Sequence, residues 1–431
     1  MSYAGRSVLV VGMGRSGRAA GALLAREGAR VTAYDRNPER LENLGFAATP
    51  VSTPEPPDFD AFDAVVASPG IPLPAHPRLV PEIDLAFPHL RAPVVAVTGT
   101  NGKSTTTTLI AEMLTRAGLS CTAGGNIGTA LCTLVDRDLD WIVAELSSFQ
   151  IEHARRFAPR VAVLLNLAPD HLDRHGSVEA YAAAKGRLAE LVPADGVLVA
   201  NLDDAWAAAA AAASPREVFP FSALRVLEQG ASVAGNSLVV RRGGSTRLEI
   251  SIDALAPSCR MLIENALAAS AAAVVAGAKP DAIAAVLRDF KGLPHRVEHV
   301  CTRRGVEYVN DSKATNPAAA VVALRAQRAP VWLLAGGLNK GLDFAPLAHA
   351  AAGTRGAFVF GQAAADLAAA LAGVTDVVRT ETLEQAVREA AARAQPGDVV
   401  LLAPACASFD QFTSFEDRGA RFAAYARALP C

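Results

Sequence analysis

VVAVTGTNGKSTTTTL, residues 94–109, reads as an apolar strand, a glycine-rich turn and the opening of a helix. In that order the three parts make a phosphate cradle. Backbone N–H groups of the turn and of the helix N-terminus face an anion, Lys103 reaches the terminal phosphates, and Ser104 is placed to hold a magnesium ion. The loop is a variant of the commonest form, because Val97 stands five positions before Gly102 and the first glycine follows at Gly99. A strand leaving through such a turn into a helix belongs to a parallel, helix-covered sheet. The stretch therefore predicts an α/β chain with an ATP site, and the remaining residues must supply what ATP acts on.

Upstream, Ser7–Val11 is a short β-branched strand ending in Gly12-Met13-Gly14-Arg15-Ser16-Gly17, and 19–28 follows as a helix. The next strand, Arg30–Tyr34, ends at Asp35, where a Rossmann unit places its ribose-binding acid. Taken alone, the pattern says dinucleotide binding, and an NAD-dependent dehydrogenase is one reading of it. The same turn lets any diphosphate approach a helix N-terminus, and a dehydrogenase leaves the phosphate loop, Glu145 and Lys340 without a task. Residues 64–72 are another strand running into a loop. Residues 1–91 thus form one small α/β domain, with TPEPPDF and PLPAHP as surface loops.

Downstream, strands are expected at Trp141–Glu145 and 161–165, with polar exits from Glu145 to Ser148 and from Asn166 to His175. Ligands in open α/β sheets sit at these ends, which puts Glu145 and His171 within reach of a metal at the cradle. A helix with Tyr181, Lys185 and Leu188 follows, then a strand at 197–200. Residues 216–255 read as short strands with turns, and 263–277 as a helix opening near Asn265. The Ala-rich run 206–213 is high-propensity helix without functional weight. Lys291–Arg296 interrupts the alternation and marks the border between a central domain, 92–290, and a C-terminal one, 291–431. In the latter, strands at 306–309, 331–335, 357–360 and 399–402 each leave through a polar or glycine-rich exit, so a second Rossmann-like domain is expected.

The chain has 431 residues, which suits two or three domains. With 51% hydrophobic and 19% charged residues and a net charge of −2, it offers no basic surface for nucleic acid or anionic membranes. No apolar run reaches the roughly 18 residues of a membrane span, and the opening MSYAGRSVLVVG leads directly into a strand. The six cysteines show no metal-ligand spacing and suit a reducing cytoplasm.

GTNGKST (99–105), ELSSFQIE (145–152), DHLDRH (170–175), GLPHR (292–296), NDSKATNP (310–317) and PACASFDQF (404–412) together resemble the Mur ligases. The resemblance covers essentially the whole chain. The last two motifs are closest to the branch that joins D-glutamate to UDP-N-acetylmuramoyl-L-alanine. It implies three domains: an N-terminal Rossmann-like one for the UDP-substrate, a central P-loop ATPase-like one with a parallel sheet, and a C-terminal Rossmann-like one. It also implies a cytoplasmic monomer. ATP would be held by Gly99, Thr100, Asn101, Gly102, Lys103, Ser104, Thr105 and Asn265, with Arg296 near the phosphates and Asp311 at the ribose. Ser104 and Glu145 would bind one magnesium ion and His171 a second. Lys185, in YAAAKGRL, matches the lysine that the family carbamylates with CO2, which turns an amine into an anionic oxygen ligand. Lys103, Glu145, His171 and Lys185 are the implied catalytic set. Gly14, Arg15, Ser16, Asp35, Ser68 and Asn126 would meet the UDP-sugar, and Thr315, Lys340, Ser408 and Phe415 the glutamate. The His-Asn pair usual in the family before Asn265 is replaced by Met261 and Leu262, and the segment 77–91 is shorter than usual. Another Mur ligase, a folylpolyglutamate-type ligase or an L-glutamate-adding variant would keep the fold and change the substrate.

Overall fold

The computed structural model describes residues 2–71, 73 and 76–430, so part of the PLPAHP loop lies outside the described residues. Among the described residues three sheets, largely parallel and covered by helices, give the expected α/β architecture. The first sheet contains β1 (Ser7–Val11), β2 (Arg30–Tyr34), β3 (Thr49–Val51) and β4 (Ala64–Ala67), in the order β3-β2-β1-β4 and parallel throughout. Its first helix is Arg15–Arg26 and starts earlier than 19. The opening turn, Arg15-Ser16, is polar, so apolar periodicity registers only from Ala19 onward.

The second sheet has nine strands: β5 (Val94–Thr98), β6 (Cys121–Gly125), β7 (Trp141–Glu145), β8 (Val161–Leu164), β9 (Val197–Asn201), β10 (Glu217–Ser222), β11 (Gly230–Ala234), β12 (Ser237–Arg242) and β13 (Ser245–Ser251). Their order is β13-β12-β11-β10-β9-β8-β5-β7-β6, parallel from β11 to β6 and antiparallel at the β11-β12-β13 end. β5 and its neighbours are almost continuously buried and apolar up to their polar C-terminal ends, Thr98 and Glu145, because helices cover both faces. The third sheet contains β14 (Glu298–Arg303), β15 (Val306–Asn310), β16 (Val331–Gly336), β17 (Gly356–Phe360), β18 (Val377–Arg379) and β19 (Val399–Leu402). In the order β14-β15-β19-β16-β17-β18, the last strand is inserted between β15 and β16, so their three exits lie side by side. Among the described residues of this sheet only β14 runs antiparallel to its neighbour.

The chain divides into two compact units: Met1–Leu167, Glu179–Leu255 and Glu264–Arg288 in one, Ala168–Val178, Ala256–Ile263 and Asp289–Cys431 in the other. The first unit carries the first two sheets and the second carries the third.

Within the first unit two buried acids of the short helix Glu82–Ala86 hold backbone. Asp84 accepts from the N–H groups of Arg155, Arg156 and Phe157 at 2.7–3.0 Å, and Glu82 Oε1 accepts from Cys132 N at 2.7 Å. Burial raises the Glu82 carboxyl above its ordinary 4.5. The folded chain holds that proton more tightly than the unfolded one. Its stabilising contribution is complete below about pH 4.5 and is lost as pH rises through the raised folded value. Glu82→Gln keeps an acceptor for Cys132 and removes the buried charge. It should therefore melt about 2 °C or more above wild type near neutral pH, with the gap closing towards pH 4.5. An equal or lower melting temperature at neutral pH contradicts this.

Candidate active site

The phosphate loop is built at the exit of β5. Gly102 has φ +86°, a left-handed conformation that glycine adopts without strain, and a Cβ there would lie 2.2 Å from Asn265 Nδ2. That amide donates to the Gly102 carbonyl and to Thr106 Oγ1, both at 2.9 Å, and so fixes the helix Lys103–Arg116 at its start. Lys103 Nζ donates to the carbonyls of Gly99 and Thr100 at 2.9 Å each. Lys185, 1% exposed, donates to the same Gly99 carbonyl at 2.9 Å and stands 4.7 Å over the Tyr181 ring. Ser104 and Thr105 are buried in the helix's first turn. Parallel pairing of β5 with β7 sets Val97 opposite Glu145, at the base of the loop. Asn126 holds one Glu145 oxygen, Nδ2 to Oε1 at 2.8 Å, and donates its own N–H to the Glu145 carbonyl at 2.8 Å.

This unit therefore brings together Gly99 to Thr105, Asn126, Glu145, Lys185 and Asn265. Tyr181, whose hydroxyl lies 3.3 Å from Thr100 Oγ1, joins them. Nothing in its sequence context distinguishes it from an apolar helix position.

Gly14, Arg15 and Ser16 form the start of the helix after β1, a twelve-residue helix whose free N–H groups suit a diphosphate. Arg15 Nη1 donates to the Gly128 carbonyl at 2.7 Å, which draws this turn towards the loop carrying Asn126. Asp35 accepts from Met13 N at 2.8 Å and Asn37 N at 2.9 Å, and Ser68 Oγ donates to the Gly12 carbonyl at 2.8 Å. Beside them is a cavity of about 590 Å³ lined by Gly12, Tyr34, Asp35, Arg40, Phe59 and Leu73. A largely apolar slot edged by the acids Asp35, Glu55 and Asp58 can take a heteroaromatic ring.

In the second unit Arg296 and Asp311 face each other. Arg296 Nη1 lies 3.4 Å from both Asp311 oxygens, Val297 N adds a donor at 3.3 Å, and both side chains are buried. Burial raises the Asp311 carboxyl against the opposing pull of Arg296. His171 has φ +52°, its N–H donates to Asp170 Oδ1 at 2.9 Å, and Asp170 Oδ2 accepts from Asn316 at 3.1 Å. Thr315, Lys340 and Ser408 come from the adjacent exits of β15, β16 and β19, and reciprocal bonds between Leu338 and Ala407 bind two of these exits together. Phe415 opens the last helix, with its ring edge-on to His295. Arg418 was not singled out by the sequence. Fully buried, it donates to Ser312 Oγ (2.9 Å) and to the carbonyls of Ser312 (2.9 Å), Cys406 (3.0 Å) and Gly336 (3.3 Å), tying all three exits. A larger cavity of about 1030 Å³ near Gln362, Arg379 and Asp410 includes none of the candidate residues.

Residues 97–273 match the model of the Mur ligase middle domain, and residues 295–406 that of the Mur ligase glutamate ligase domain. The UDP-N-acetylmuramoylalanine--D-glutamate ligase of Solibacter usitatus is 41% identical over 98% of this chain and 98% of its own length. The chain belongs to the Mur ligase family. The ligase of the same name from Pelotomaculum thermopropionicum is 43% identical over 97% of this chain and 96% of its own. The solved UDP-N-acetylmuramate-alanine ligase of Thermotoga maritima shares the fold, with TM-score 0.62 at 18% identity and coverage of 98% and 99%. Like other Mur ligases, this chain is an ATP-dependent enzyme that forms amide bonds.

The Mur ligase loop fits a magnesium–nucleotide complex. Glu145 Oε2 is buried and has no hydrogen-bond partner among the described residues, an oxygen that a cation would complete. Among the described residues no group of three or more His, Cys, Asp or Glu side chains could hold a metal alone. Magnesium typically takes only one or two carboxylates and fills its octahedron with phosphate and water oxygens. Lys185 also fits the carbamylation that the resemblance implies, since a carbamate would retain one N–H for the Gly99 carbonyl. Leu262, at the place where the resemblance leads one to expect an amide, is 5% exposed and packs in the second unit's core, with Met261 against it.

Proposed function

We propose that this chain joins D-glutamate to UDP-N-acetylmuramoyl-L-alanine in an ATP-driven, cytoplasmic step of peptidoglycan precursor synthesis, acting as a monomer of three domains, 1–91, 92–290 and 291–431. The phosphate loop Gly99–Thr105, with the half-partnered Glu145 at its base, is the observation that carries the reading. Relatives named for that reaction along the whole chain support it.

A carboxylate is a poor electrophile. Transfer of the γ-phosphoryl group of ATP to the terminal carboxylate of the UDP-substrate gives ADP and an acyl phosphate. The glutamate amine then attacks the acyl carbon and gives up a proton, and inorganic phosphate leaves the tetrahedral adduct. The protein's share is positioning and charge neutralisation. Lys103 and the N–H groups of the loop and helix face the phosphates. When bound, magnesium would neutralise phosphate charge, with Ser104 and Glu145 as ligands of one ion, and His171 and carbamylated Lys185 serving a second. Asn265 fixes the loop, while Arg296 serves the phosphates and Asp311 the ribose. Gly14, Arg15 and Ser16 take the diphosphate, Asp35 and the adjoining slot take uridine, and Ser68 and Asn126 line the way to the muramoyl-alanine end.

For glutamate, the Lys340 cation and the Thr315 and Ser408 hydroxyls match two carboxylates, with Phe415 alongside. Lys340→Ala removes the charge-assisted bond. It should raise the KM for D-glutamate about 10- to 100-fold, in line with about 1.5–3 kcal/mol for hydrogen bonds to charged groups, and leave the KM for ATP within about twofold. Equal effects on both constants contradict this placement. The reaction itself is tested by offering an amino-acid panel with ATP and UDP-N-acetylmuramoyl-L-alanine and weighing the products by mass spectrometry. A product with D-glutamate supports the proposal, and products only with L-glutamate or other amino acids refute it.

A further inference from the structure

We propose that Asn166 is a positioning residue of the phosphate loop, acting as an amide clamp on the Asn101 peptide; this rests on the loop being the ATP site. Asn166 follows β8, whose exit runs alongside the loop. Its side chain pairs with one residue of the loop in both directions: Asn101 N donates to Asn166 Oδ1 at 2.9 Å, and Asn166 Nδ2 donates to the Asn101 carbonyl at 3.2 Å. Its own carbonyl accepts from Thr100 N at 2.8 Å. The result continues the β5–β8 pairing past the end of the strands, with a side-chain amide standing in for a peptide. Only an amide offers a donor and an acceptor in the geometry of a peptide group.

The clamp is itself held in place. Leu167 N donates to Asp204 Oδ2 at 3.1 Å, while Asp204 Oδ1 caps the helix Ala205–Ala213 through Ala207 N at 3.0 Å. A Cβ on Gly99 would lie 2.8 Å from Leu165 Cβ and 3.2 Å from Asn166 N, so the exit of β8 and the loop are in close contact. The clamp therefore consumes the N–H of Asn101 and turns the peptides between the Gly99 and Gly102 bends into one orientation. That orientation sets the carbonyls of Gly99 and Thr100, on which Lys103 rests, and the direction in which the following N–H groups of Gly102 and Lys103 point. Preorganised donors favour a bound phosphate because they need no reorientation when it arrives.

Each substitution of Asn166 makes a different prediction. Asn166→Leu removes both bonds at similar volume. Asn166→Asp keeps the acceptor but sets a carboxylate against the Asn101 carbonyl and near the phosphates. Both variants should raise the dissociation constant of magnesium–ADP in calorimetry at least 10-fold, Asp more than Leu. They should raise the KM for ATP by a similar factor and leave the KM for UDP-N-acetylmuramoyl-L-alanine within twofold. Asn166→Gln, which retains the amide, should recover part of the loss. Unchanged nucleotide affinity in folded Leu and Asp variants overturns the proposal, as does a rise of both KM values together or a loss that tracks only a lower melting temperature. Nucleotide affinity needs no acceptor, so a wild type that binds magnesium–ADP but ligates nothing would refute the ligase reading and still leave the clamp to be decided by these variants.

Discussion

Lys103→Met should lower D-glutamate-dependent phosphate release by about 1000-fold or more while leaving the affinity for the UDP-substrate within about twofold. Loss of a single preorganised transition-state donor typically costs 10²–10³ in turnover, and here the lost group is also the loop's own cation. Lys103, the residue directly before Ser104, rests its Nζ on the Gly99 and Thr100 carbonyls, so its charge is fixed in the loop proposed to hold the phosphates, where phosphoryl transfer would spread negative charge over three oxygens. Methionine fills the same volume without charge, so the fold and the first sheet's slot at Asp35 should be untouched. Phosphate release together with calorimetry of the UDP-substrate checks both halves. A variant with turnover within 10-fold of wild type would remove Lys103 from the mechanism.

Truncation of Lys185 should be nearly as damaging. The side chain is 1% exposed, bonded to the Gly99 carbonyl and stacked over Tyr181. Lysines are seldom buried to this degree unless their charge is paired, and here the partners belong to the phosphate loop and the helix beside it. Lys185→Ala should lower turnover at least about 100-fold, the smaller end of the loss for a single transition-state group. Lys185→Met, which preserves packing, should lose as much while melting within a few degrees of wild type. A fully active Lys185→Met would show that the residue serves only to fill space.

The sheets carrying the site were legible because their strands are continuous apolar runs ending in glycine or polar exits, as Val94–Thr98 and Val399–Leu402 are. The short strands Thr49–Val51 and Val377–Arg379 are sheet edges with too few residues to show a period. Cys121–Gly125 ends in two glycines, and Glu298–Arg303 mixes charge with apolar residues at an edge, so neither displays a strand pattern. Candidate residues inside motifs could be named from the sequence. Groups that act through others could not. Asn166, Tyr181 and Arg418 matter through bonds to residues distant in sequence, and nothing local marks a buried arginine satisfied by carbonyls. Pairing of Arg296 with Asp311 is likewise invisible in the sequence, where the two lie fifteen residues apart in different motifs.

One site is expected to couple ATP cleavage to amide formation with D-glutamate. Phosphate release measured with ATP, UDP-N-acetylmuramoyl-L-alanine and D-glutamate, and with each left out in turn, tests it directly. One phosphate should be released per amide formed, only with all three present, and none when L-glutamate replaces the D-isomer. Phosphate release without D-glutamate at the full rate, or no release with all three, would contradict it.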